Sequence, residues 1–210
     1  EDVAVKITAE RTEVSGASDL AVTKVAFKQG GGVDGTAPAS ADAGVEKLEV
    51  SVRPLRLVLA GEALSSEFSA TGRVEKPRGL VQSGQRIDAA ADTLTLGLKD
   101  AAITSRQAGL DVVGQLQSEL TALAVSLAPG PRTGAVPSAA TRVAVGSVTL
   151  GASPLDAKID GRGTRLNGDA SVQLKQLDLN FAASEGGPMA LAISDLRLGV
   201  AKLAGVLGEA

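Results

Sequence analysis

Apolar and polar residues alternate along most of this chain with the two-residue period of extended strand. The stretch from Ala170 to Val200 shows it best, as two apolar arms around a tight centre at Ser184-Glu185-Gly186-Gly187. One arm carries Val172, Leu174, Leu177, Leu179 and Phe181; the other carries Met189, Leu191, Ile193, Leu196 and Leu198. An antiparallel hairpin centred near Glu185 sets Phe181 opposite Met189, Leu179 opposite Leu191 and Leu177 opposite Ile193. Leu174 then meets Leu196, and Val172 meets Leu198. Apolar side chains all find apolar partners, which is what holds a register. From Leu174 to Leu177, and from Ile193 to Leu196, the step is three. The apolar face changes sides at one level in both arms, unless a bulge restores it.

The same arrangement, apolar-x-apolar-x-x-apolar-x-apolar, predicts strands elsewhere and occurs seven times in all. It runs through Leu20, Val22, Val25 and Phe27, and through Leu48, Val50, Val52, Leu55, Leu57 and Leu59. Arg53-Pro54 sits at the second of these steps; proline cannot donate to a ladder, which predicts a bulge or an edge. Ile87 to Leu98, with Asp92-Thr93 between its halves, and Val143 to Leu150 repeat it. Leu116, Leu120, Leu123, Val125 and Leu127 fit it too, although Val113, Leu116, Leu120, Leu123 and Leu127 also match a helical stripe. Strand neighbours favour strand. Weaker or shorter strands are expected at Val3 to Ile7, Phe68 to Val74 and Leu155 to Ile159, with a turn at Pro77-Arg78-Gly79. Leu203, Val206 and Leu207 suit a helical turn or a trailing strand.

The predicted fold is therefore all-β: one domain over residues 1–210, a long antiparallel meander forming a curved sheet, a two-sheet sandwich or an open barrel. A β-solenoid is the rival, disfavoured by irregular intervals between steps and by a lack of asparagine beyond Asn167 and Asn180. Aligning the steps pairs Phe27 with Val50, Val25 with Val52 and Val22 with Leu55, and pairs Leu120 with Val148 and Leu123 with Val145. Residues 29–44 and 129–138, rich in Gly, Ala, Ser and Pro, are expected to be flexible loops.

Composition narrows the chemistry. The chain is 44% hydrophobic, with three Phe, no Trp or Tyr and 25 Gly. A core of small aliphatics is expected, built in many weak layers, each buried Leu or Val contributing roughly 1.5–3 kcal/mol. With 21 basic and 24 acidic residues interspersed, no basic stripe tracks a phosphate backbone, which argues against nucleic acid. The chain has no His and no Cys, removing thiolate and imidazole metal sites, disulfides and histidine acid–base chemistry. No run of eighteen apolar residues predicts a spanning helix. A start at Glu1 without a signal sequence reads as a cytoplasmic chain, a processed mature form or an excised domain.

Few motifs carry chemistry. Gly30, Gly32 and Gly35 satisfy G-x-G-x-x-G after a strand, yet Thr36-Ala37-Pro38-Ala39 opens no helix for a phosphate; a plain loop explains them better. Asp160, Asn167 and Asp169 could offer oxygens to calcium, but their spacing suits turn-forming residues better. No nucleophile signature and no distinguished carboxylate pair points to catalysis. The expectation is a non-enzyme without cofactor or metal. Apolar half-strands without covering helices need a second sheet, a partner chain or an apolar ligand, the plain core being the simpler account.

The segments VQLKQLDLNFA (172–182), MALAISDLRLGV (189–200) and LEVSVRPLRLVLAG (48–61) resemble the β-rich periplasmic repeats of the AsmA/TamB superfamily of Gram-negative envelope proteins. The resemblance implies an elongated curved sheet whose apolar inside carries lipid acyl chains between membranes. This chain differs in lacking the family's N-terminal anchor, in its Gly/Ala/Ser loop and in being short. The implied location is the periplasm, or the envelope or exterior of a Gram-negative bacterium. The expected function is an apolar sheet face offered to lipid or to an envelope partner protein, with Leu174, Leu177, Leu179, Leu191, Ile193 and Leu196 as candidate binding residues. The alternative is a structural subunit that self-assembles by strand pairing into a fibre, coat or larger complex.

Overall fold

The computed structural model describes residues 3–30, 40–83, 85–129, 140–181, 187 and 189–207, and nearly all of them are strand, with no helix among them. The strands are β1 (Ala4–Ile7), β2 (Arg11–Gln29), β3 (Ser40–Ala60), β4 (Ala63–Glu75), β5 (Arg78–Ser83), β6 (Gln85–Ala90), β7 (Thr93–Arg106), β8 (Gly109–Pro129), β9 (Thr141–Asp160), β10 (Gly163–Phe181) and β11 (Met189–Leu207). They form one antiparallel sheet in meander order. β5 continues the lane of β4, pairing with β3 at Gly44↔Arg78 where β4 pairs at Lys47↔Glu75. β6 likewise continues the lane of β7 beside β8. Sequence neighbours are thus spatial neighbours throughout.

The predicted hairpin forms in the expected register, with Phe181↔Met189, Leu179↔Leu191, Leu177↔Ile193, Leu174↔Leu196 and Val172↔Leu198. Leu120↔Val148 and Leu123↔Val145 also pair as expected. The segment with helical ambiguity lies within β8, and Val206 and Leu207 end β11, so both are strand.

Three expectations are corrected. Val22 pairs with Leu48 and Val25 with Val45, so Phe27 does not meet Val50. The step at Arg53-Pro54 lies at a different height from the step in β2, and the matching step in β3 is Val45 to Leu48. Arg78 and Gly79 begin a strand, because β5 must continue the ladder beyond β4. Of the expected loops, Gln29 ends β2, residues 40–44 belong to β3 and Pro129 ends β8. Residues 31–39 and 130–138 lie outside the described residues.

Two seams cross the sheet from lane to lane. The upper seam runs through Lys24, Glu46, Lys76, Asp92, Ala122, Gly146, Gln176 and Ser194, the residues that the ladders skip without changing register. Across the middle lanes, the Lys76 amide donates to the Asp92 carbonyl (2.8 Å) and the Asp92 amide to that of Thr121 (3.0 Å). In every second lane the seam residue is left-handed: Lys24 (φ 57), Lys76 (φ 48), Ala122 (φ 51) and Gln176 (φ 55). A left-handed residue interrupts the pleat, so alternation restarts there and gives the step of three in those lanes; in the lanes between, the residue opposite it is skipped by the ladder in step.

The lower seam is a row of bulges. β3, β7, β9 and β11 each carry an extra residue there, at Arg53-Pro54, Lys99-Asp100, Ser153-Pro154 and Ala201-Lys202, against Ala17, Ser69, Gln115 and Asp169 in the lanes between. An extra residue leaves an amide outside the ladder that needs an acceptor. The Asp100 amide donates to Ser69 Oγ (3.1 Å), and the Lys202 amide to Asp169 Oδ1 (2.7 Å). At the equivalent place in β3 and β9 stand Pro54 and Pro154, which have no N–H to satisfy. Proline here marks a bulge in interior strands, not an edge.

Between the seams every lane spans six residues: 18–23, 47–52, 70–75, 93–98, 116–121, 147–152, 170–175 and 195–200. Glu46 to Lys76, Asp92 to Ala122 and Gly146 to Gln176 are each thirty residues apart. The lower turns, at residues 61–62, 107–108 and 161–162, have constant length, so a hairpin repeat underlies the chain.

The expected core does not form. Among the described residues every strand lies in one antiparallel sheet, and β2 does not pair with β11. The structure is therefore the curved meander among the expected forms, without a closed barrel, and an antiparallel meander is not a solenoid. The accessible surface is 14616 Å², against about 9,000 Å² for a compact chain of this mass. Among the described residues, Ala91, Ala101 and Val145 are the only buried apolar side chains, and each stands directly beside a seam residue.

Candidate functional site: the uncovered apolar face

The middle panel is two-faced because six residues in strict alternation put three on each side. One rung joins Val22, Leu48, Val74, Leu94, Leu120, Val148, Leu174 and Leu196, apolar in all eight lanes. Next to it lie Leu20, Val50, Leu96, Leu150, Val172 and Leu198, interrupted only by Gly72 and Ser118. The third runs through Val52, Ala70, Leu98, Leu116, Ala152, Ala170 and Val200, with Ser18 at its end. The apolar side continues across the lower seam. A methyl group built on Gly114, below the seam, would touch the Leu98 side chain at 3.4 Å.

The six candidate residues form three directly opposed pairs on β10 and β11: Leu174↔Leu196, Leu177↔Ile193 and Leu179↔Leu191. Gln176 and Ser194 of the upper seam separate the first pair from the other two. Leu191 is 50% exposed and Leu196 39%, while the other four are half-buried. The structure adds residues that the sequence reading did not single out. Leu20, Leu96, Leu150 and Leu198, exposed by 46–60%, share one rung, in its first, fourth, sixth and eighth lanes. Alternation gives the face of each, but only the register shows that they share a rung.

The opposite face is polar and laced with ion pairs. Thr23, Lys47, Glu75, Thr93, Thr121, Ser147, Lys175 and Asp195 form one rung of it. Lys47 pairs with Glu49 (2.6 Å), and Arg73 with Glu75 (3.1 Å). The Lys47 ammonium is held above its usual range, first by its hydrogen bond to Glu49. Asp195 accepts from Arg197 (2.9 Å) and Gln173 (3.2 Å), which hold its carboxyl below the usual range. On the lower panel, Arg56 donates to Glu13 (2.6 Å) and lowers that carboxyl. At the upper seam, Lys76 bonds Glu46 (2.8 Å), lowering the Glu46 pKa and raising its own. Arg53 bridges to Asp19 beside the lower seam. These exposed pairs set the face's wettability; each contributes little stability.

Open clefts follow the seams. One of about 580 Å³ lies among Lys24, Glu46, Lys76, Arg78 and Asp92; another of about 620 Å³ lies among Ala122, Gly146, Gln176, Asp178 and Ser194. A smaller one of about 280 Å³ at the lower seam involves Lys99, Gln115, Ser153 and Asp169. Oxygen-ligand candidates are kept apart: Asp160 caps a turn by accepting from the Arg162 amide (2.8 Å), and Asp169 serves the β11 bulge. No group of three or more potential metal ligands occurs among the described residues. Gly30 follows β2, while Gly32 and Gly35 lie outside the described residues. No helix there is long and apolar enough to cross a membrane. Comparison with protein-family models, with curated proteins and with solved structures finds no match to this chain.

Proposed function

We propose that the chain is a non-enzymatic envelope or secreted β-domain whose apolar sheet face receives lipid acyl chains, or else the apolar surface of a partner protein. One observation carries the reading: the rung from Val22 to Leu196 is apolar in all eight lanes, and none of its eight residues is buried. Exposed apolar patches beyond a few hundred Å² mark interaction sites in soluble proteins. Six residues span roughly 20 Å along a strand, comparable to the ~15 Å of one leaflet's hydrocarbon. A polar, ion-paired reverse side keeps the other surface in water. Weak texture-level resemblance to AsmA/TamB repeats points the same way, toward a Gram-negative periplasm.

The test is titration of delipidated protein with a fluorescent fatty acid and with a phospholipid. Saturable binding, weakened in Leu179→Asp and Leu191→Asp, is expected. Absence of saturable binding removes the lipid claim and leaves the partner protein.

A further inference from the structure

We infer that the two free edges of the sheet are complementary, so that β11 of one copy pairs with β2 of a second copy, head to tail. The argument starts from the seams. Lanes alternate between two kinds: β2, β4/β5, β8 and β10 carry a left-handed residue at the upper seam and no extra residue at the lower one. β3, β6/β7, β9 and β11 are the reverse. The sheet therefore begins with one kind and ends with the other. A second copy of β2, antiparallel beside β11, continues the alternation without a fault.

Both seams align in one register only. With Ser194 opposite Lys24, the Ala201-Lys202 bulge falls opposite Ala17, as the equivalent bulge of β3 already does within the chain. Leu191 then meets Phe27, Ile193 meets Val25, Leu196 meets Val22 and Leu198 meets Leu20, so two of the three apolar rungs carry on across the junction and the third sets Val200 against Ser18. On the polar side Arg197 lies diagonal to Asp19, the carboxylate that Arg53 engages from the other flank. A slip of one residue turns apolar side chains to the polar face, and a slip of two sets the bulge against regular strand. Among the described residues β1 covers β2 only at Thr12 to Ser15, so the junction runs over residues 16–29 of β2 and 189–203 of β11, and residues 204–207 stay outside it. Residues 18–29 of β2 are exposed throughout. Long unprotected edges recruit strands, and a heterologous junction repeats into a closed ring where the rotation closes and into an open filament where it does not.

The chain has no cysteine, so single-cysteine variants report on one contact. Ala21→Cys and Arg197→Cys are mixed, treated with a short thiol–thiol crosslinker and weighed by light scattering. The register puts these positions opposite each other, and a mixed crosslinked dimer at least tenfold above the Ala21→Cys/Thr149→Cys control is expected. Mass of the unmodified protein should rise with concentration. A yield equal to the control, or a strict monomer at high concentration, overturns the inference. So does efficient crosslinking within single molecules of an Ala21→Cys/Arg197→Cys double variant, because the edges would then meet inside one chain. None of these outcomes bears on lipid binding to the face.

Discussion

Gln176 closes over Gly146 at the upper seam: a methyl group on Gly146 would meet the Gln176 Cβ at 3.0 Å. Gln176 holds the left-handed conformation (φ 55), which costs an L-residue roughly 1–2 kcal/mol. Gly146→Ala is therefore expected to destabilise by about 1–2 kcal/mol, and Gln176→Gly to stabilise by up to ~1 kcal/mol. Urea melts of the two single variants and the double variant check both the signs and the coupling, since residues in contact do not add.

Capping of the bulges makes a second test. Asp169→Ala strands the Lys202 amide, and Ser69→Ala strands that of Asp100. Each should cost on the order of 1 kcal/mol in denaturant unfolding, because an amide outside the ladder loses its acceptor. Hydrogen exchange at the Lys202 amide should quicken in the first variant only.

Gly168 faces a harder obstacle than Gly146. A Cβ there would run into the backbone carbonyl oxygen of Pro154, which the bulge in β9 thrusts toward it. Backbone cannot swing away as a side chain can. Gly168→Ala is expected to cost about 2–4 kcal/mol, seen as a lowered urea midpoint at unchanged slope.

Response to pH follows from the polar face. Glu13, Glu46 and Asp195 have carboxyls held below their ordinary values of 4.5, 4.5 and 3.8 by Arg56, Lys76 and Arg197. A lowered folded-state pKa gives stability that is full above the unfolded value and lost as pH falls through the folded one. Stability should therefore decline below about pH 4.5, and less steeply at high salt. Lys47 and Lys76, raised above 10.5, act in the opposite sense and should release stability only above that pH. Denaturation across pH, with Glu13→Gln as a flattened reference, measures both limbs.

Unfolding should also expose less new surface than the chain length implies. The unfolded chain presents about 30,000 Å² and a compact fold of this mass about 9,000 Å², against the 14616 Å² found here. The urea m-value is then expected at about three-quarters of that for a compact domain of equal length. A full-sized value would mean that the apolar face is covered in solution.

Much of this was legible in the residues. Strand type, the β10–β11 register and the shared height of the steps in β8, β9, β10 and β11 follow from side-chain period. The β2–β3 register was not legible, because β3 carries two steps, at Val45 to Leu48 and at Val52 to Leu55, and Pro54 advertises the wrong one. The hairpin repeat, thirty residues between its two seam positions, was hidden for a different reason. Its marker pairs, Glu46 with Lys76, Asp92 with Ala122 and Gly146 with Gln176, share backbone geometry and no side-chain chemistry. Asp169 was weighed as a cation ligand, since its partner, an amide thirty-three residues away, exists only once the bulges align. The missing core was also out of reach: alternation tells which side is greasy, never what lies against it.

Because both seams cross every lane at matching heights, the apolar panel between them keeps one height of six residues from β2 to β11. A further hairpin would widen that panel by two lanes and leave its height unchanged.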